Sequence, residues 1–180
     1  MSHFFTQEIL PIYLIYIPTN CIFIEIEKSV NNSECLPVIG LLFFAGIQPR
    51  EVRCLKWKVI DLEENSITAR SQCSKTGCVR QVEILPALKH ILSMHKKDGE
   101  ANVCLPNWKR KWEIIREEAG FKGTRVQDVL RHTYASYFAE RFTDLPRLQL
   151  NIGHRDLSLL RSRYINMRGI PNLGASSFFN

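Results

Sequence analysis

No Cys-x-x-Cys pair occurs in this chain, although it holds six cysteines, at positions 21, 35, 54, 73, 78 and 104. No histidine cluster falls at zinc-ligand spacing either. These absences argue against a structural metal, and no cofactor is expected. Cys35 and Cys54 lie in apolar helical patterns and read as core thiols, which suits a reducing cytosol. Long apolar runs are equally scarce. Ile9 to Ile17 is apolar, but Pro11 and Pro18 interrupt it, and it falls short of the roughly 20 residues that cross a bilayer. His3 alone precedes it among basic or titratable cations, so it makes a poor signal peptide. The expectation is therefore a cytoplasmic protein with no membrane partner. The chain also lacks internal repeats and low-complexity segments.

What is present is an ordinary globular composition with uneven charge. The 180 residues are 45% hydrophobic and 23% charged, enough for one domain with a sizeable core. The net charge is +6. Residues 1–34 hold Lys28 against Glu8, Glu25, Glu27 and Glu34, a net of −3. The rest therefore carries 23 basic and 14 acidic side chains, a net of +9. A basic main body suggests a polyanionic partner, nucleic acid first. Charge alone leaves that reading level with a basic protein that has no such partner.

Taken in order, residues 1–33 form a segment of unclear role. Cys21 to Glu27 ends in strand-like alternation, and so much apolar sequence needs cover. It packs on the body, packs on a partner chain, or is a remnant of a longer protein; the residues leave the choice open. Asn31-Asn32-Ser33 reads as a break and a helix cap. Glu34 to Ala45 is then a buried helix, apolar on nearly all sides and ended by Gly46. Pro49 suits the first turn of a second helix, Arg50 to Trp57, with Val52, Leu55 and Cys54 facing inward. From Ile60 the period changes. Asp61 to Asn65 is a polar turn, and Ser66–Arg70 and Val79–Ile84 alternate as strands of a hairpin or small antiparallel sheet. Gly77 supplies the turn and Lys75 sits at the tip. Pro86 to His95 is helical. Asn107 caps a helix from Trp108 to Ala119, whose Lys109, Arg110, Lys111 and Arg116 make a basic face able to track phosphates. Asp144 or Thr143 caps a helix from Leu145 to Leu150, and Asp156 caps another, Leu157 to Met167. The tail, 169–180, ends in Phe178-Phe179. It docks on a neighbouring subunit or frays, and the two readings weigh equally.

The chain is organised around Asp128 to Tyr137. Leu130, Tyr134, Tyr137 and Phe138 recur at helical spacing on one apolar face. Arg131 and His132 follow Leu130 directly and so leave the helix in other directions. An arginine near the first turn of such a helix is well placed to clamp an anion, since the helix N-terminus adds partial positive charge. Ile152-Gly153-His154 and then Tyr164 follow. Singly, Arg131 is a surface ion-pair partner and Tyr164 a core residue. Arginine, histidine and tyrosine in that order suggest phosphate chemistry with a tyrosine nucleophile.

Four blocks in order carry a resemblance. They are Phe44-Ala45-Gly46-Ile47-Gln48-Pro49-Arg50-Glu51-Val52-Arg53-Cys54-Leu55-Lys56-Trp57; Ser74-Lys75-Thr76-Gly77 followed by Val82-Glu83-Ile84; Leu130-Arg131-His132-Thr133-Tyr134-Ala135-Ser136; and Ile152-Gly153-His154 followed by Tyr164. Over residues 34–168 the sequence resembles the catalytic domain of the tyrosine recombinases, the phage-integrase family. The resemblance implies an α+β, mainly α fold with a helical core and a small antiparallel sheet or hairpin. It implies DNA integration or site-specific recombination on double-stranded DNA, with self-association on DNA. Neither ATP nor a metal is required, because the phosphodiester energy is kept in a 3′-phosphotyrosine ester. Carried over by position, Tyr164 is the nucleophile, Arg131 the second phosphate clamp, Lys75 the general acid and His154 a phosphate or base-side contact.

Two positions depart from the family pattern. Gln48 stands where the family has its first arginine and brings no charge; losing one such donor typically costs ~10²–10³ in rate. Arg50, two residues on, lies about 200° round a helix and would substitute only through a distorted turn. Asp128 stands where the family often has histidine, and an ionised carboxylate there opposes a phosphate unless a cation pairs with it. The family also carries an N-terminal helical domain that closes a clamp around DNA, and here about 30 residues precede the first block. The chain is thus expected to be a lone catalytic domain, a fragment or a truncated product, with weak, salt-dependent DNA affinity. Whether it is an impaired recombinase or a catalytically silent DNA-binding relic of the same fold stays open at this point. An unrelated helical protein binding RNA or protein would need four coincidental motifs.

Overall fold

The computed structural model describes residues 33–70, 79–119, 129–153 and 178–179. The segment before Ser33, the hairpin tip with Lys75 and Gly77, Asp128, His154, the Asp156–Met167 stretch and Tyr164 lie outside the described residues. The rest builds a mainly helical unit with one small antiparallel sheet, the fold class that the sequence implies.

The first helix, α1 (Leu36–Phe44), is the centre of the core, and Pro37 through Phe44 are all buried. A buried helix can be apolar all round because no face meets water. The expected Ser33 cap is corrected. Ser33–Cys35 is a 3₁₀ turn, and Cys35 occupies the N-cap with no side-chain capping bond. Pro37, in the first helical turn, has no N–H to be capped, which removes part of the need for one. Gly46 ends the segment at φ +61°.

The second helix is shorter than its pattern suggests. α2 (Pro49–Val52) begins at proline as expected but stops after one turn, not at Trp57. Beyond it the backbone finds other partners. The Trp57 N–H donates to the Ala101 carbonyl at 3.0 Å and the Val103 N–H to the Leu55 carbonyl at 2.9 Å. Lys56 pairs with Asn102 in an antiparallel bridge. These distant bonds satisfy the groups that a continued helix would have used. In consequence Cys54 turns outward and is exposed, which corrects its reading as a core thiol, while Cys35 is buried.

The sheet runs β1 (Ile60–Asp61), β2 (Ser66–Arg70), β3 (Val79–Glu83), in that order and all antiparallel. Ile67 faces Val82 and Arg70 faces Val79. Ile67, Ala69 and Val82 are buried in alternation, as a half-covered sheet requires. Asp61 Oδ1 accepts from the N–H groups of Glu63 and Glu64, both at 2.9 Å, and so shapes the first turn. Next come α3 (Pro86–Met94) and α4 (Trp108–Glu118). Asn107 does stand at the N-cap of α4, but in a left-handed conformation with no side-chain bond; its carbonyl accepts from Lys111 N–H instead.

Two more helices complete the unit. α5 (Val129–Phe142) packs on α1 and buries Leu130, Tyr134, Tyr137 and Phe138, the face its spacing indicates. α6 (Leu145–Ile152) packs on α5 and on β3. Asp144 caps it, accepting from Arg147 N–H at 3.0 Å, and Gly153 closes it at φ +64°. Phe178 and Phe179 are not frayed. Both are buried in this chain's own core. Phe178 stacks on Tyr137 at 4.6 Å, Phe179 lies 5.6 Å from Phe142, and the Phe179 carbonyl accepts from Ala87 N–H. Two aromatic rings gain more from that cluster than from water.

Candidate functional site

Arg131 occupies the first turn of α5 and is buried, 8% exposed. Its guanidinium spans two chain reversals. Nη1 donates to the Gly46 carbonyl at 2.8 Å and Nη2 to the Ile152 carbonyl at 2.5 Å. The first reversal leads into Gln48 and the second into Gly153-His154. A charged donor on a carbonyl makes a strong hydrogen bond, and the planar fork fixes both in one plane. One turn along α5, Tyr134 repeats the link. Its ring covers Gly46, where an added Cβ would sit 2.5 Å from Tyr134 Cδ1. Its hydroxyl accepts from Asn151 Nδ2 at 3.0 Å. Burial pushes the Tyr134 hydroxyl far above the ordinary phenol range, so it serves as a neutral hydrogen-bonding group.

A second arginine ties the same parts from the other side. Arg80 on β3 meets Glu51 through two bonds, Nη1 to Oε1 at 2.5 Å and Nη2 to Oε2 at 2.7 Å. Its Nε donates to the Asn151 carbonyl at 2.9 Å. Glu51 in turn accepts from the Gln48 N–H at 3.0 Å, so it holds the first turn of α2. Burial alone would raise the Glu51 carboxyl. The bonds from Arg80 and Gln48 and the charges of Arg80 and Arg131 outweigh that and hold it below the usual carboxylate range. Gly153 lies against Arg80, where an added Cβ would stand 3.2 Å from Arg80 Cδ. Consecutive carbonyls at the end of α6, of Asn151 and Ile152, are thus each held by a different guanidinium.

Gln48 is the half-buried N-cap of α2, in extended conformation, and Arg50 points to solvent from the same single turn. The structure therefore brings two of the candidate positions together, Gln48 and Arg131, through the Gly46 reversal. Lys75, Asp128, His154 and Tyr164 fall outside the described residues. Along the chain, Lys75 belongs to the connection between β2 and β3, Asp128 precedes Val129 and His154 follows Gly153. Arg80, Asn151 and the Tyr134 hydroxyl are absent from the sequence-based candidates. Arg80 stands in an alternating strand of a basic chain and reads there as one more surface cation. Its only sequence signal is its place after the Lys75 turn.

A further ion pair joins Arg147 to Glu83, fastening α6 to β3, and the Arg147 guanidinium lies 5.1 Å over the Phe142 ring. On α4, Lys109 and Arg110 are exposed, Lys111 and Arg116 half-buried, while Trp108 and Ile115 face the core. The basic face read from the sequence is therefore accessible in part. None of the described helices is long and apolar enough to cross a membrane.

Comparison with known proteins agrees with this arrangement. No family model matches the chain. Tyrosine recombinase XerA of Saccharolobus solfataricus is 28% identical over 142 residues, which cover 74% of this chain and 47% of that protein. XerA of Pyrococcus furiosus is 29% identical over 136 residues, 67% of this chain and 46% of that protein. The chain spans about half the length of the curated relatives it matches. Among solved structures, XerA recombinase superposes with a TM-score of 0.65 at 20% identity, covering 81% of this chain and 58% of that one. The XerH site-specific recombinase in a post-cleavage complex with palindromic difH substrate superposes at 0.64 and 19% identity, covering 91% and 52%. The Tn1549 transposon integrase in complex with a circular intermediate DNA superposes at 0.61 and 16% identity, covering 78% and 58%. With the four ordered sequence blocks and the helical core bearing its small sheet, these likenesses make the chain similar in sequence to the tyrosine recombinases and show that it shares the fold of their solved structures.

Proposed function

We propose that this chain binds double-stranded DNA and performs strand breakage and rejoining in site-specific recombination or DNA integration, at a rate lowered by Gln48. The observation that carries the reading is the Arg131 guanidinium, which draws the Gln48 turn and the turn before His154 onto one helix N-terminus. Convergence of that kind suits a phosphodiester, whose transition state spreads negative charge over its non-bridging oxygens. In the proposed reaction the Tyr164 hydroxyl gives up its proton to water, and its oxygen attacks phosphorus and forms a 3′-phosphotyrosine. The P–O5′ bond breaks, and Lys75 gives its proton to the leaving 5′-oxygen. A 5′-hydroxyl of a second strand then reverses the step and releases tyrosine, so bonds made equal bonds broken. Arg131 and His154 hold the phosphate, and the Asp128 carboxylate opposes it unless a cation pairs with it. Gln48 offers a neutral donor where a charge would act more strongly.

Because the chain spans half of its relatives, a further clamp half from elsewhere and self-association on DNA belong to the proposal. So does action in the cytoplasm. A specific observation favours a second reading, a DNA-binding protein that does not cut. Gln48 is half-buried at a helix start and Arg50 is exposed, so neither the residue nor its cationic neighbour restores the missing charge there.

A nicked suicide substrate, drawn from a pool of candidate duplexes, separates the two. A covalent adduct with the unmodified protein, lost in Tyr164→Phe, supports the recombinase. An adduct seen only with Gln48→Arg supports the silent reading. Salt-independent binding to every duplex, with no adduct in any form, overturns both, since phosphate contacts demand a steep salt response.

A further inference from the structure

Cys54 and Cys104 flank a single antiparallel bridge that the recombination reading does not use. Lys56 pairs with Asn102 in an antiparallel bridge. The flanking bonds run from Trp57 N–H to the Ala101 carbonyl and from Val103 N–H to the Leu55 carbonyl. That pattern makes Lys56 and Asn102 a non-hydrogen-bonded pair, and the same register sets residue 54 opposite residue 104 at the next such position. Directly opposed residues at these positions have Cα atoms about 4.5 Å apart in a regular ladder. A disulfide spans Cα separations of roughly 4.4–6.8 Å. Cys54 is the first residue beyond the bridge and its flanking bonds, because its own N–H and that of Leu55 turn back to the carbonyls of Glu51 and Val52. It is exposed, and Cys104 is half-buried; both are free thiols.

We propose that Cys54 and Cys104 are a redox pair that closes to a disulfide when the protein meets a peroxide and reopens with thiol reductant. The electrostatics agree with the register. Burial raises the Cys104 thiol, Arg53 lowers it, and charge on Cys54 and then on Cys35 would raise it further, so both cysteines are near enough to Cys104 for their charge to be felt there. Exposure decides the order of events. A small oxidant reaches Cys54, whereas Cys35 is walled into the core at 3% exposure. The Cys54 thiolate attacks one peroxide oxygen, the O–O bond breaks, and the products are a sulfenic acid and a first water. The Cys104 thiolate then attacks the Cys54 sulfur and expels hydroxide, which takes up a proton as the second water. The two thiols lose two protons and two electrons in all, and the peroxide accepts both. The bond would pin the exit of α2, the turn that carries Gln48 and Glu51, to the segment that leads into the basic helix α4.

The test uses the whole chain, reduced, exposed to hydrogen peroxide, alkylated and digested without reductant. Mass spectrometry is expected to find one peptide joining Cys54 to Cys104, lighter than its two parts by two hydrogens and lost on treatment with dithiothreitol. The link is expected to persist in Cys35→Ser and to vanish in Cys54→Ser and Cys104→Ser. The wild-type result decides the matter by itself if a serine variant fails to fold. Recovery of Cys54 unmodified, as sulfinic acid, or joined to any other cysteine, including one on a second chain, overturns the proposal.

Discussion

Arg80 and Glu51, 29 positions apart in the chain, face each other through both terminal guanidinium nitrogens and both carboxylate oxygens, with side chains only 10% and 3% exposed. This pair holds the turn that presents Gln48 against the end of α6. Removing one partner leaves a buried charge without its complement, which typically costs about 3–5 kcal/mol. Arg80→Met and Glu51→Gln are each expected to lower stability by that order in urea unfolding. Arg80→Lys is expected to recover only part of the loss, because an ammonium cannot match two oxygens at once.

The same pair sets an acid limb. Glu51 has its folded pKa held below the ordinary 4.5. Such a group binds fewer protons folded than unfolded, so its contribution is complete above the unfolded value. It is lost as pH falls through the lowered folded one. Stability measured from neutrality down through the carboxylate range is expected to fall more steeply in the wild type than in Glu51→Gln. Equal slopes would place the acid sensitivity elsewhere.

Gly46 and Gly153 both adopt left-handed φ, near +61° and +64°, yet they differ in what surrounds them. A Cβ at Gly46 meets the ring of Tyr134 at 2.5 Å; one at Gly153 meets the Arg80 side chain at 3.2 Å. The backbone penalty is about 1–2 kcal/mol at either site, and overpacking adds roughly 1–3 kcal/mol only where nothing can yield. Gly46→Ala is therefore expected to be the more destabilising of the two in chemical denaturation. The reverse order would mean that the Tyr134 ring moves more easily than the pinned Arg80.

Phe179 is 1% exposed among Tyr134, Phe138 and Phe142. Phe179→Ala is expected to cost about 3–5 kcal/mol, the range for a buried phenylalanine. Thermal unfolding of that variant checks it, and a melting point unchanged from wild type would show that the aromatic cluster does without its last ring.

Lys109 and Arg110 are exposed on α4. If that face tracks a phosphate backbone, Lys109→Ala and Arg110→Ala will each weaken binding to a duplex of arbitrary sequence. Each is expected to reduce the slope of log affinity against log salt by about 0.9. An unaltered slope would assign the face to solvent.

The sequence by itself determined the fold class, the likeness to the recombinases and most of the helices, because these rest on local order. Apolar spacing marks α1 and the buried face of α5, Pro49 opens α2, and Asp144 caps α6. The block order carries the likeness to the recombinases whatever the packing. What the sequence left undecided depends on partners far along the chain. α2 ends early because residues 101–103 offer its next backbone groups an antiparallel partner, and that choice alone turned Cys54 out of the core. Phe178 and Phe179 read equally as frayed or donated until the rings of α1 and α5 came to surround them. Arg80 looked like any surface cation until Glu51, itself noticed only as part of a motif, arrived opposite. Periodicity records which side of an element avoids water. It holds no record of which buried charge waits for which, and only the tertiary structure decided that Arg80 and Arg131 would hold neighbouring carbonyls at the end of α6.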